Sequence, residues 1–179
     1  MTVAQRFTTE YIEHEDRLRI SASLLGEEVV ITWLTRRLLD RLVSHLAGLL
    51  EQETAQATLP EIQQTFAQQA AVASHQAQAE VEPQAQVPVS AQQATVTHEW
   101  LVTEVDITPS EQGVSLRLRG AQPSQMVVLG MPPVMLRQWL GIVHGQYLRA
   151  RWSLDCWPAW MNEAAQQLQA SGTSDTRLH

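Results

Sequence analysis

The stretch "EEVVITWLTRRLLDRLVSHLAGLL", Glu27 to Leu50, carries two periods in succession. Val29, Val30 and Ile31 form a β-branched run of the kind that makes a buried strand. Beyond Thr35 the apolar residues Leu38, Leu39, Leu42, Val43, Leu46, Leu49 and Leu50 recur at helical spacing. Thr35 is the expected N-cap, since a threonine hydroxyl can accept from the unpaired amides of the first turn. The same order returns in "MVVLGMPPVMLRQWLGIVHGQYL", Met126 to Leu148. Displaced by 97 positions, the stripe reads Met135, Leu136, Trp139, Leu140, Val143, Gln146 and Tyr147, of which six are apolar. Pro132 replaces Thr35, and a proline pair suits a first helical turn. Gly48 falls on Gly145, which suggests places where helix backbones approach closely.

Working outward, each half offers a hairpin. "RFTTEYI" and "RLRIS" flank the acidic turn "EHED", and "EWLVTEVDIT" and "VSLRLR" flank "PSEQG". The expected fold is α+β: two βββα units in a tandem pseudo-repeat, each a three-stranded, mainly antiparallel sheet covered by one helix, with a short C-terminal helix at about 158–169. The division is 1–53 for the first unit, 54–96 for a linker, 97–151 for the second unit, 152–170 for a Trp-rich helical extension and 171–179 for a mobile tail. A unit of this size buries little surface alone, so the two are expected to pack together or to exchange between chains.

The linker stands apart in composition, with 11 Gln and 11 Ala in 43 positions and no Arg. Its first part, "LPEIQQTFAQQAAVASHQAQAE", reads as a weak helix starting at Pro60, with Ile62, Phe66 and Ala70 on one face. The rest, "VEPQAQVPVSAQQATV", reads as an extended, protease-sensitive connection.

The net charge of −7 and the absence of any basic segment argue against a nucleic-acid footprint. All 12 basic residues are Arg, most simply a matter of coding composition. A single cysteine, Cys156, excludes an internal disulfide and a multi-cysteine metal site. No export leader is expected from the first residues, no apolar run reaches membrane-spanning length, and a cytoplasmic location is expected.

Four strand arginines, Arg17, Arg19, Arg117 and Arg119, are candidates for binding an anionic ligand or nucleic acid. Pairing Ile12 with Arg17 sets Glu10 opposite Arg19, and pairing Ile107 with Val114 sets Glu104 opposite Arg117, so cross-strand ion pairing is the simpler reading. The histidines His14, His45, His75, His98, His144 and His179 make no metal-ligand spacing. An enzyme reading requires a polar pocket near His45, His98 or His144, assembled from distant parts of the chain. Cys156 lies among tryptophans, where burial raises a thiol pKa and suppresses nucleophilicity. No phosphate-cradling glycine loop or nucleophile elbow is present.

The densest unusual feature is "RARWSLDCWPAWMNEAAQQLQ". Trp152, Trp157 and Trp160 with Arg149 and Arg151 form a candidate partner-binding surface, since Trp and Arg are favoured at interface hot spots. The competing reading closes the core with the same rings. The functional expectation is a non-catalytic interaction protein, an adaptor or assembly factor, with a protein partner or a second copy and with no cofactor or metal.

Overall fold

The computed structural model describes residues 2–25, 28–81, 88–89 and 95–174. Two runs of three strands and a helix are present. The first is β1 (Arg6–Ile12), β2 (Arg17–Ser23), β3 (Glu28–Leu34) and α1 (Arg36–Glu53). Helix α2 (Pro60–Val81) and strand β4 (Thr95–Leu101) follow. The second run is β5 (Glu104–Ser110), β6 (Gly113–Arg119), β7 (Met126–Met131) and α3 (Pro133–Ala150), and α4 (Ala159–Ser174) ends the described chain.

The local rules hold where the sequence states them strongly. Glu10 faces Arg19 and Ile12 faces Arg17 across β1 and β2, as the alternation predicts. Thr35 Oγ1 accepts from Leu38 N at 3.3 Å and opens α1, whose buried side is Leu39, Leu42, Val43, Leu46, Ala47 and Leu50. Pro132 and Pro133 open α3, and Arg151 closes it in a left-handed conformation at φ 55°.

Three expectations about the strands are corrected. The first sheet has four strands, in the order β1-β2-β3-β4, because β4 joins β3 in parallel. "EWLVTEVDIT" is therefore not one strand. Trp100 and Val102 are buried at one parity, whereas Val105 and Ile107 pack against the core at the other, so the chain changes sheets between them. The handover is fixed by Val102 N donating to Trp33 O and Thr103 N donating to Arg119 O, both at 2.9 Å. In the second hairpin Ile107 faces Leu116 rather than Val114, and Glu104 faces Arg119. The turn is shorter than expected because Ser110 pairs with Gly113, which sits at φ 130°. A Cβ there would lie 2.2 Å from Met131 O, so only glycine fits.

The sheets also meet on their other side. Val3 bridges Val128 in parallel, with Ala4 N on Val128 O and Val128 N on Thr2 O, before the chain enters β1. The segment before β1 thus extends the edge of the second sheet, as β4 extends the first. One continuous core results, joining Leu18, Ile20 and Leu34 to Leu116, Leu118 and Leu129 under α1 and α3. Helix α3 is not confined to its own sheet and packs on β1 as well as on β6 and β7.

The expected close approaches at Gly48 and Gly145 are absent, since a Cβ at either position would meet nothing within 4 Å. Among the described helix glycines the tight one is Gly141, whose Cβ would lie 3.1 Å from Val72 Cγ2 where α3 crosses α2. Most of the expected extended connection, at 82–87 and 90–94, and the tail at 175–179 lie outside the described residues. The described parts of those two segments are ordered elements: Val89 packs on Val29 and Ile31, residues 95–96 belong to β4, and 171–174 belong to α4.

Candidate interaction surface

The tryptophan cluster is not on the surface. Trp152, Trp157 and Trp160 are buried, the last two only 5% and 3% exposed, so the expectation of a partly exposed anchor is corrected. The cause is the fold-back of α4. Trp160 Nε1 donates to Glu51 Oε1 at 2.9 Å and Trp152 Nε1 to Asp16 Oδ1 at 3.0 Å. Trp157 stands edge-on to His144 and Tyr147, with centroids 5.0 and 5.4 Å away. All three rings are core residues, with the Trp152 and Trp160 edges hydrogen-bonded and Trp157 Nε1 without a partner among the described residues. Arg149 and Arg151 are exposed at the C-terminus of α3, where cations complement the helix dipole.

The strand arginines lie on two different sheets, each beside a carboxylate. Arg17 is 3.8 Å from Glu15 and Arg19 is 3.1 Å from Glu10. Arg117 and Arg119 are 3.6 and 2.7 Å from Asp106; the changed register sets Asp106 opposite Arg117, and Arg119 reaches it diagonally rather than pairing with Glu104 opposite.

Burial shifts the titratable groups of the interior toward their neutral forms. His144 is buried and bonded to Asn162 Oδ1 at 2.9 Å, and desolvation lowers its pKa. Burial, with Asp40 at 3.5 Å, pushes the Cys156 thiol up to about 11. Tyr147 donates to Asp40 Oδ1 at 2.8 Å and its pKa is raised, first by burial. Arg137, buried beside Glu53, has its pKa lowered by desolvation against the opposing pull of that carboxylate. His45 and His98 are exposed. Among the described residues no three His, Cys, Asp or Glu side chains gather into a metal-sized group. No described helix is long and apolar enough to cross a membrane.

Two surface features emerge instead, and both involve α2. The helix forms as the weak pattern predicts, but it faces the other way. Its buried residues are Gln64, Thr65, Gln68 and Ala71, whereas Leu59 just before it and Ile62 and Phe66 within it are 60%, 51% and 65% exposed. The amides explain the inversion. Gln64 Nε2 donates to Leu50 O, one of the carbonyls that the end of α1 leaves unpaired, and to Thr54 Oγ1 at 2.9 Å. Gln68 Nε2 donates to Arg137 O at 2.8 Å, and Gln138 Nε2 returns a bond to Ala71 O at 3.2 Å. The exposed side carries a shallow groove between Phe66, Ala70 and Ala73 of α2 and Leu168 of α4.

The second feature is a cleft of about 860 Å³ between β1, the end of α2 and the start of α3. Phe7 and Thr9 of β1, His75 and Val81 of α2, and Met135 and Trp139 of α3 line it. Of the histidines, it is His75 that lies here, not the three on which the enzyme reading depended. The only hint in the sequence was that Trp139 and Met135 widen the stripe of α3 beyond what one sheet needs. Comparison of the chain with protein families, with curated proteins and with solved structures returned no match.

Proposed function

We propose that this protein is a non-catalytic interaction module, an adaptor or assembly factor, whose contact surface is the outward side of α2. The reading takes the chain as a tandem of two βββα units working in the cytoplasm, with a partner protein or a second copy as its counterpart. The observation that carries it is the inversion of α2. A helix that spends its amides inward and leaves Leu59, Ile62 and Phe66 in water exposes apolar surface that a covering chain would remove from solvent. Burying the Phe66 side chain alone would contribute about 1.5–3 kcal/mol.

The test is the double variant Ile62→Ser, Phe66→Ser. Its thermal unfolding should match the parent, since changes at exposed sites are usually within about 0.5 kcal/mol. Its self-association, measured by light scattering, or its capture of a partner from native cells, should be lost. A variant that unfolds makes the stripe structural, and unchanged association moves the contact elsewhere. Binding of anions through the strand arginines is the weaker reading, because each guanidinium already stands within 4 Å of a carboxylate.

A further inference from the structure

We infer that the cleft along β1 binds an extended peptide segment of a partner protein, which adds to the first sheet as a strand beside β1. The inference rests on the interaction reading above but assigns it a second surface with a different chemistry.

β1 is the edge of its sheet. Leu24 N donates to Glu28 O, so the even residues of β2 turn toward β3 and its odd residues toward β1. Their partners Arg6, Thr8, Glu10 and Ile12 therefore spend their backbone groups on β2. Phe7, Thr9 and Tyr11 point the other way. Tyr11 N is satisfied by Gln146 Oε1 at 2.8 Å. The backbone N–H and C=O of Phe7 and Thr9 make no hydrogen bond among the described residues, and both residues line the cleft.

Two donor–acceptor pairs two residues apart along a strand match the repeat of an extended chain, and no helix can present their complement. The walls suit such a guest. Met135, Trp139 and Ile142 offer apolar surface to alternate side chains, and Trp139 is held by its Nε1–H bond to Thr9 Oγ1 at 3.0 Å. A wall fixed in advance loses little entropy on binding. At the rim Val89 N donates to the Thr8 hydroxyl at 2.9 Å. A second copy is the wrong guest, because its own β1 edge lies recessed between its own α2 and α3. A single extended segment enters where a whole sheet cannot.

The experiment selects peptides of roughly ten residues from a random displayed library against the full chain and then scans one of them by backbone N-methylation. Strand addition predicts losses of about tenfold or more at two positions, two residues apart, and near-full affinity at the position between them, as each removed donor strands a buried acceptor. Phe7→Pro should weaken binding similarly. It removes an outward N–H that β2 does not use, and edge strands tolerate proline. Phe7→Leu, which keeps the N–H, separates loss of the ring from loss of the donor. Should Phe7→Pro fail to fold, the N-methyl scan on the unaltered chain still decides. A scan without alternation, or a library that yields no binder, overturns the inference. Binders that are lost with Phe66→Ser but kept with Phe7→Pro overturn it while leaving the α2 contact intact. Alternating losses in a protein whose association ignores Ile62→Ser, Phe66→Ser uphold it against that contact.

Discussion

Helices α1 and α2 carry apolar residues at the same kind of spacing and bury opposite sides. In α1 the leucine stripe faces the core and nearly every large residue on it is covered. In α2 the glutamines face inward, while Ile62 and Phe66 face water. The difference lies in what each helix meets. α1 lies against a sheet whose inward side chains are apolar, so burial of side-chain surface decides its orientation. α2 meets helix ends and helix backbones, where Leu50 O and Arg137 O offer acceptors that an amide can reach and an isoleucine cannot. A helical stripe identifies a helix, whereas the neighbour decides which side is inside.

The largest expected effect is on the α1 side. Leu46 is fully buried, so Leu46→Ala should cost about 2–5 kcal/mol in denaturant unfolding. A cost comparable to that of an exposed residue would erase the contrast between the helices. On the α2 side the sensitive residue should be polar. Gln64→Leu should cost about 1–3 kcal/mol by leaving Leu50 O without its partner. The lower end is expected, because the unpartnered Gln64 Oε1 disappears with the change. A gain in stability would mean that volume, not the amide, holds α2 in place.

These effects mark how far the sequence could be read. Two local expectations hold: the Glu10–Arg19 register follows from a tight turn, and Thr35 caps its own helix. Where the partner is distant, the alternatives were degenerate. Nothing local tells β4 to run parallel to β3, although the change of parity between Val102 and Val105 was visible as a break in alternation. The second hairpin slipped by two residues because Pro109 looked like part of the turn. In the structure it lies in β5, a sheet-edge strand opposite Val114, a place where proline's missing donor can be tolerated. The tryptophans could not be assigned because interface and core favour the same residue. Only the fold-back of α4 onto Glu51 and His144 separates them. Of the candidate surface, the helix was legible and its orientation was not.

A smaller effect distinguishes two kinds of buried polar group. The amides of α2 do not titrate, whereas His144 on α3 does. Its folded pKa is lowered by burial, so the unfolded chain takes up the proton more readily. The stabilising contribution of the neutral ring is complete above the ordinary value of about 6.5 and is lost as the pH falls below it. His144→Gln should flatten the decline in unfolding free energy over that window, and an unchanged slope would place the acid sensitivity elsewhere. Cys156 gives a kinetic counterpart. With its thiol pushed up to about 11, alkylation near neutral pH should be slow in the folded chain and should accelerate on unfolding.

The orientation of α2 can be measured directly by thiol labelling. With Cys156 replaced by serine, Phe66→Cys and Gln68→Cys are prepared separately and their reaction with a water-soluble maleimide is timed. The side chains differ widely in exposure, 65% against 1%. The account predicts that the thiol at 66 reacts nearly as fast as one in the unfolded chain, while the thiol at 68 is protected until the protein is denatured. Rapid labelling at 68 with protection at 66 would turn the apolar stripe inward and contradict the surface on which the proposed function depends.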